Sequence, residues 1–132
     1  MGRGKSKAAG GRSDAPYGTE YKTLHQLDNI KYVTPTSGAT TAPMYTKTSD
    51  RIYATVDGEG DVKYITFYDD NLNRYKQIDV KGQPHKVDGK LILPHTHYGY
   101  LHDENGTFKP TQEEVGVIDK VLIEWYNFTH GK

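Results

Sequence analysis

Three segments in the middle of the chain alternate hydrophobic and polar residues with the period of two that is typical of β-strands. They are residues 51–56, 62–68 and 74–80, with the sequences RIYATV, VKYITFY and RYKQIDV. The five residues DGEGD join the first two, and a second polar turn follows at 69–73. The pattern predicts a β-hairpin that a third strand extends into a meander. Shorter strands are predicted at 29–33 and 91–93, and residues 34–49 predict a loop.

A helical period replaces this alternation near the C-terminus. Apolar residues recur there at the spacing of one helix face, namely Val115, Ile118, Leu122 and Trp125, with Val121 and Tyr126 beside them. Thr111 and Glu114 have the spacing of an N-terminal capping box, and Gly131 stands where the helix should end. Residues 17–27 predict a short N-terminal helix. The predicted fold class is therefore α+β: a short N-terminal helix, an antiparallel meander of about four strands, and a C-terminal helix packed on one face.

The period of two also assigns the meander residues to two faces. The apolar face, which the C-terminal helix would cover, consists of Ile52, Ala54, Val56, Ile65, Phe67, Ile78 and Val80. The opposite face consists of Tyr53, Thr55, Tyr64, Thr66, Tyr68, Tyr75 and Gln77. A face of this kind can stack bases and bond phosphates, although the strand preference of Tyr and Thr explains it equally well.

Composition divides the 132 residues into a tail, 1–17, and a single domain, 18–132. The tail is rich in Gly, Ser, Ala and basic residues, which is typical of a disordered linker. The chain has 17 basic and 17 acidic residues, and the tail contains four of the basic and one of the acidic ones. The domain therefore has 13 basic and 16 acidic residues, which argues against a non-specific nucleic-acid coat protein. The absence of cysteine excludes disulfides and thiolate chemistry, and no long apolar run predicts a signal peptide or membrane span.

The candidate chemistry lies in a histidine-rich stretch near the end of the predicted sheet. Four of the six histidines fall there, as His85, His95, His97 and His102. On a strand His95 and His97 point to the same side, roughly 7 Å apart, and two imidazoles can then bracket one phosphodiester. One would remove the proton of a ribose 2′-hydroxyl while the other protonates the leaving 5′-oxygen, because histidine titrates near neutral pH. We expect both rings to open into a groove that RNA can enter.

RNA cleavage of this type requires no metal or cofactor, but it requires a cation near the charged phosphorane. The cations nearby in sequence are Arg74, Lys76, Lys81, Lys86 and Lys90, of which Lys81 and Lys86 are preferred because they flank the turn before the histidines. His85 or His102 would assist, the latter after a bulge at Gly99. The histidines and Asp103 also offer ligands for Zn²⁺ or Mn²⁺, so a metal site stays open as an alternative.

Several segments together carry a resemblance to a known group. They are Ala42-Pro43-Met44, residues 51–56, residues 75–79, Pro84-His85-Lys86, residues 94–100 and residues 123–127. These resemble a module at the C-termini of phage minor head proteins and related modules of bacterial polymorphic toxins, which are similar to the barnase/EndoU/colicin/RelE-like group of metal-independent ribonucleases. The PHxH pattern of that group maps onto His95 and His97. The catalytic glutamate of the barnase branch has no counterpart here.

The resemblance and the histidines together predict a toxin-like endoribonuclease. Its substrate would be RNA, including tRNA, bound by Tyr53, Tyr64, Thr66, Tyr68, Tyr75, Tyr98 and Tyr100. The resemblance implies an immunity or inhibitor protein as partner, a bacterial or phage-associated origin, and action in the bacterial cytoplasm after delivery. Two alternatives remain open: a non-catalytic, phage-encoded protein that binds a host protein through the Tyr-rich face, and a metal-dependent nuclease or phosphodiesterase.

Overall fold

The computed structural model describes residues 20–81, 85–87, 90–92, 94–99 and 107–131, with the backbone alone for 85–87 and 90–92. The predicted tail, 1–17, lies outside these ranges. The elements, in chain order, are β1 (Tyr21–Leu27), β2 (Ile30–Pro35), β3 (Ile52–Val56), β4 (Val62–Tyr68), β5 (Arg74–Asp79), β6 (His85–Val87), β7 (Lys90–Ile92), β8 (His95–Tyr98), β9 (Thr107–Phe108) and α1 (Gln112–Thr129).

The fold is α+β, as the sequence predicts, but the main sheet has seven strands and not four. Its order is β1-β2-β3-β4-β5-β8-β9, and β6 pairs with β7 in a separate two-stranded sheet. The predicted strand at 91–93 therefore does not run on into the histidines, because β7 ends at Ile92 and β8 begins at His95. All neighbours in the main sheet are antiparallel except β2 and β3.

The predicted meander is confirmed as β3, β4 and β5, with Ile65 opposite both Ala54 and Ile78. Each of its two turns is organised by an aspartate side chain. Asp57 Oδ1 accepts hydrogen bonds from two backbone amides in the first turn, and Asp69 Oδ1 does the same in the second. Such bonds satisfy turn amides that have no ladder partner, which explains the aspartate at the start of each turn.

The predicted N-terminal helix is wrong over residues 21–27, because these residues form strand β1. β1 and β2 make a hairpin in which Leu27 lies opposite Ile30. Asp28, between them, has a φ of 55°, a left-handed conformation that Asp tolerates better than most residues. Leu24 packs against the core next to a register shift in β1, so its helical spacing from Leu27 had no structural meaning.

The apolar face of the meander is confirmed, since all seven predicted residues belong to one core with α1 or pack against it. The capping box of Thr111 and Glu114 is also confirmed. The inward face of α1, however, differs from the predicted one. Ile118, Val121, Val117 and Trp125 pack inward, whereas Val115, Leu122 and Tyr126 are exposed.

Polar anchors account for the rotation of α1. Its first turn is held by the buried Glu114, its middle by a 2.7 Å bond from the Tyr32 hydroxyl to the Val121 carbonyl, and its end by a 2.8 Å bond from the Trp125 indole to the Gly60 carbonyl. These three positions lie on one helix face, and Ile118 shares it. No helix in the described ranges is long and apolar enough to cross a membrane.

Candidate functional site

The face of the sheet opposite α1 brings five polar side chains together from three neighbouring strands. In the register of β5 and β8, Asp79 lies opposite His95 and Gln77 lies opposite His97. In the register of β8 and β9, His97 lies opposite Thr107. Directly opposed residues of antiparallel strands point to the same face with Cβ atoms about 5 Å apart. Since Ile78 faces α1, its neighbours on β5 point away from α1.

Asp79, His95 and His97 form the centre of this group, here called the Asp79–His95–His97 cluster. One carboxylate oxygen, Asp79 Oδ2, lies 3.2 Å from His95 Nε2 and 3.1 Å from His97 Nε2. The two rings are nearly perpendicular, at 89°, with centroids 4.8 Å apart. The two histidines therefore do point to the same side, as the strand period predicts, and both contact the carboxylate of Asp79.

A chain of hydrogen bonds continues outward from the cluster. Gln77 Nε2 donates to Asp79 Oδ1 at 2.8 Å, and Arg74 Nη1 donates to Gln77 Oε1 at 2.8 Å. On the other side, Thr107 Oγ1 lies 2.9 Å from His97 Nδ1. The bonds from Gln77 and Thr107 hold Asp79 Oδ1 and His97 Nδ1, the atoms that do not take part in the contact between Asp79 and the histidines. They therefore fix the orientation of both side chains. Arg74 is thereby a cation linked to the cluster, although the sequence favoured Lys81 and Lys86.

The expected open groove is wrong, because both imidazole rings lie in the interior. His95 is 1% exposed and His97 is 2% exposed. β8 pairs with a strand on each side, so neither histidine stands at an open edge of the sheet. Burial alone would raise the pKa of Asp79. The hydrogen bonds from His97 and Gln77 and the positive charge of the imidazoles outweigh it and hold that pKa below its usual value.

Lys81, expected as a phosphate-binding cation, is engaged in the turn between β3 and β4. Its ammonium lies 2.7 Å from Asp57, 2.6 Å from Glu59 and 2.8 Å from Asp61. These three carboxylates raise the pKa of Lys81, and its charge is more than balanced by them. The structure therefore gives Lys81 the role of closing a hairpin turn and does not bring it into the cluster.

Three of the seven expected RNA-binding side chains are buried, and two of these three belong to a second core. Tyr53, Thr66 and Tyr68 are buried, and the two tyrosines pack with Val33 against Tyr21. The predicted loop covers them, because the Tyr68 hydroxyl donates to the Pro43 carbonyl at 2.6 Å. These three residues cannot stack bases in this conformation. The strand preference of Tyr and Thr, together with packing, explains their presence.

The other residues expected to bind RNA lie in different places. Tyr64 lies opposite Asp79 in the register of β4 and β5 and is partly exposed, so it is next to the cluster. Tyr75 is 41% exposed at a register shift of β5. Tyr98 is on the wrong face, since its hydroxyl donates to Glu114 Oε2 at 3.2 Å. The expected roles of Tyr100 and His102, and of the His85 and Lys86 side chains, lie outside the described part of the chain.

Two members of the group were not singled out from the sequence. Asp79 continues the alternation of Gln77 on β5, so extending the strand period by one step would have placed it on the histidine face. Thr107 carries no such signal, because its position depends on the pairing of β8 with β9. No protein-family model, curated protein or solved structure matches this chain, so its function must be argued from the cluster itself.

Proposed function

We propose that this chain is an endoribonuclease that cleaves RNA through the ribose 2′-hydroxyl, with the Asp79–His95–His97 cluster as its catalytic centre. The observation that carries the proposal is that two imidazoles share one carboxylate oxygen, at 3.2 and 3.1 Å. The resemblance of the PHTH segment to ribonuclease modules supports the same conclusion. RNA, including tRNA, is the proposed substrate, with an immunity protein as partner and the bacterial cytoplasm as place of action.

The shared carboxylate suits a pair made of one acid and one base. Asp79 can balance the charge of one imidazolium. If both rings were protonated, two positive charges would lie on rings whose centroids are 4.8 Å apart. Their repulsion is unfavourable in a buried site. The cluster therefore favours one protonated and one neutral histidine, the two forms that 2′-hydroxyl attack and departure of the 5′-oxygen require.

Because Asp79 holds Nε2 of both rings, exchange of protons with RNA would take place at Nδ1. At His97 the Thr107 hydroxyl lies 2.9 Å from that atom and can relay a proton, since a hydroxyl both donates and accepts. Arg74, linked to Asp79 through Gln77, supplies positive charge on the same face for the phosphorane. Tyr64, beside Asp79, is placed to stack a base.

Access is the main physical demand of this proposal. His95 and His97 are almost fully buried, so RNA can reach them only in a conformation in which the covering residues have moved. Opening of this kind precedes chemistry in many enzymes, and closure afterwards excludes water from the reacting groups. Excluding water suits cleavage by the 2′-hydroxyl, because the attacking oxygen comes from the RNA.

Total RNA incubated with the protein in EDTA tests the proposal. Wild type should give products that end in a 2′,3′-cyclic phosphate, and His95→Gln and His97→Gln should cleave at least about a hundredfold more slowly. His25→Gln is the matched control, because His25 too is bonded to a carboxylate, that of Glu124, at 2.8 Å. Circular dichroism verifies that each variant is folded. Identical RNA profiles for all four proteins would end the idea.

A non-catalytic protein that binds a host protein is the second candidate, and the exposed surface of α1 favours it. Five large apolar side chains of the helix are exposed: Val115, Leu122, Ile123, Tyr126 and Phe128. The Tyr-rich sheet face is too buried for that role. A bacterial protein that wild type retains after RNase treatment and that Ile123→Asp loses, together with no RNA turnover, would favour this candidate.

A further inference from the structure

The cluster also has the composition of a metal site. We propose that Asp79, His95 and His97 bind Zn²⁺, or a chemically similar divalent transition-metal ion, through Asp79 Oδ2 and the Nε2 atoms of both histidines. Two imidazole nitrogens and one carboxylate oxygen suit this class of ion, whereas Mg²⁺ and Ca²⁺ prefer oxygen ligands. Each of the three residues offers a ligand atom that lies within 4.8 Å of those of the other two.

The spacing of the ligand atoms fits coordination. In a tetrahedral site with bonds of about 2.0–2.1 Å, neighbouring ligand atoms are roughly 3.3 Å apart. Asp79 Oδ2 lies 3.1 Å from His97 Nε2 and 3.2 Å from His95 Nε2. An ion bound to all three atoms would replace the Nε2 protons of both rings, and each ring would then keep a proton at Nδ1. The two imidazole rings are also close enough to bind one ion, since their centroids are 4.8 Å apart.

The hydrogen bonds behind the ligands are the second argument. Metal ligands are normally oriented by a further bond on the atom that does not touch the metal, and such partners fix the ring and the tautomer. Gln77 bonds Asp79 Oδ1 in this way, and Thr107 bonds His97 Nδ1. Arg74 in turn bonds the Gln77 amide, which therefore separates the guanidinium from the carboxylate. These bonds orient Asp79 and His97, two of the three proposed ligands, before any ion arrives.

A second group of three possible ligands in the described residues shows the contrast. Asp57, Glu59 and Asp61 also come together, but the Lys81 ammonium lies 2.6–2.8 Å from each of them. A lysine cation therefore already compensates that group, and oxygen is the sole ligand type it offers. The Asp79–His95–His97 cluster has nitrogen ligands and a buried setting, which together select for a transition metal.

An ion at this site would suppress RNA cleavage, a consequence that rests on the proposed function. An imidazole whose Nε2 binds a metal stays neutral and cannot become the imidazolium that protonates the 5′-oxygen. The metal replaces the proton on Nε2, so a ring that binds the metal cannot be the imidazolium whose Nδ1–H protonates the 5′-oxygen. Occupancy of the cluster would keep the nuclease inactive until the ion is removed.

Cobalt(II) added to the metal-free full chain tests the site directly, because its visible absorption reports nitrogen and oxygen ligands. We expect one equivalent to bind and Zn²⁺ to displace it. His97→Gln and Asp79→Asn should weaken binding at least tenfold, and Thr107→Val should weaken it about tenfold while leaving all three ligands in place. His25→Gln, His85→Gln and His102→Gln should bind as wild type does. No cobalt spectrum, or one that survives in folded His97→Gln or disappears in His102→Gln, would overturn the site.

Activity measured in parallel separates this inference from the proposed function. RNA cleavage in EDTA without any cobalt binding would refute the metal site and leave the ribonuclease standing. Cobalt binding, with no RNA cleavage by either the metal-free or the metal-bound protein, would keep the metal site and refute the ribonuclease. With both present, one equivalent of Zn²⁺ should slow cleavage at least tenfold, and EDTA should restore it. Faster cleavage with Zn²⁺ would overturn suppression and favour the metal-dependent nuclease instead.

Discussion

The two faces of the seven-stranded sheet are both buried, but by different interactions. One face is covered by α1, and its contacts are apolar, with Ile65 and Ile78 packed among Ile118 and Val121. The other face buries Asp79, two histidines and a glutamine in a chain of directed hydrogen bonds. Apolar contacts tolerate small shifts, whereas buried polar groups need defined partners. A site that must hold side chains in fixed positions is therefore expected on the second face.

Substitutions on the two faces of the sheet should have different consequences. Loss of apolar volume should cost stability and spare the geometry of the polar face. Loss of a polar partner should change the chemistry more than the stability, provided that the replacement keeps its shape. Substitutions on the two faces should therefore separate the free energy of unfolding from the rate of RNA cleavage.

Ile118→Ala should have the largest effect on stability. Ile118 is buried in the core beneath α1, and removing its side chain leaves a cavity, so the free energy of unfolding should fall by about 3 kcal/mol. Urea denaturation measures the change. Val115→Ala is the matched control on the same helix, because Val115 is 44% exposed and should change stability by less than about 0.5 kcal/mol. Equal losses for both would mean that the described face of α1 is not the packed one.

Glu114→Gln tests the polar contact that joins α1 to the sheet. Glu114 is buried, pairs with Lys76 at 2.9 Å and accepts a bond from Thr96 at 3.0 Å. Burial raises its pKa, but the Thr111 amide and Lys76 outweigh this and lower the pKa below the ordinary 4.5. Removing the charge should cost about 2 kcal/mol at neutral pH, because the charged hydrogen bond to Lys76 is lost.

The stability that the Glu114 carboxylate contributes should decrease at acidic pH. The unfolded chain binds a proton at Glu114 more readily than the folded chain, so the contribution is complete above about 4.5 and is lost as the pH falls through the lower folded value. Wild type should lose stability there, and Glu114→Gln should have a flatter profile in acid urea titrations. Glu113→Gln, at an exposed neighbouring position, should keep the wild-type slope. A wild-type slope in Glu114→Gln would contradict the assignment.

The sequence predicted the apolar face completely because strand alternation is a local property. Once the meander was placed, the parity of Ile52, Ile65 and Ile78 followed without any knowledge of the rest of the chain. The same rule correctly set His95 and His97 on one side. The helix face was less accurate because polar anchors from β2 and from the β3–β4 turn, through Tyr32 and Gly60, fix the rotation of α1.

The remaining errors concern contacts between distant segments. Burial of His95 and His97 depends on pairing with β5 and β9, and burial of Tyr68 depends on the loop that brings Pro43 over the sheet. The segment of β1 predicts a helix because a short segment with two leucines fits both periods, but its pairing with β2 makes it a strand. Local patterns give the direction of a side chain, but they do not show what covers it.

Tyr64→Ala should have a moderate effect that appears in binding and not in chemistry. Tyr64 lies opposite Asp79 and is not one of the three cluster residues, so its loss should leave the acid/base pair intact. Because a stacked base contributes about 1–3 kcal/mol, KM for a short RNA should rise about tenfold with kcat nearly unchanged. Tyr75→Ala, at the exposed register shift, should change KM less. A fall in kcat alone would show that Tyr64 supports the cluster and does not bind RNA.

Lys81→Met should have the smallest effect, because Lys81 belongs to neither face of the sheet. Its ammonium closes the acidic β3–β4 turn, and the three carboxylates raise its pKa. A raised folded pKa stabilises the protein below the ordinary value of 10.5, and that contribution is lost as the pH rises through the folded value. Since the contact is largely exposed and screened by salt, we expect a decrease in Tm smaller than that of Ile118→Ala and diminishing further in high salt.

RNA cleavage decides between the two roles considered for Lys81. A lysine that only closes the turn should leave kcat and KM unchanged when it becomes methionine, whereas a phosphate-binding lysine should raise KM steeply at low salt. Arg74→Met is the matched comparison, because Arg74 is the cation that bonds to the cluster through Gln77 and its loss should slow cleavage. If Lys81→Met slowed cleavage more than Arg74→Met did, the phosphate would have to be held at the turn, and the polar face alone would not be the active site.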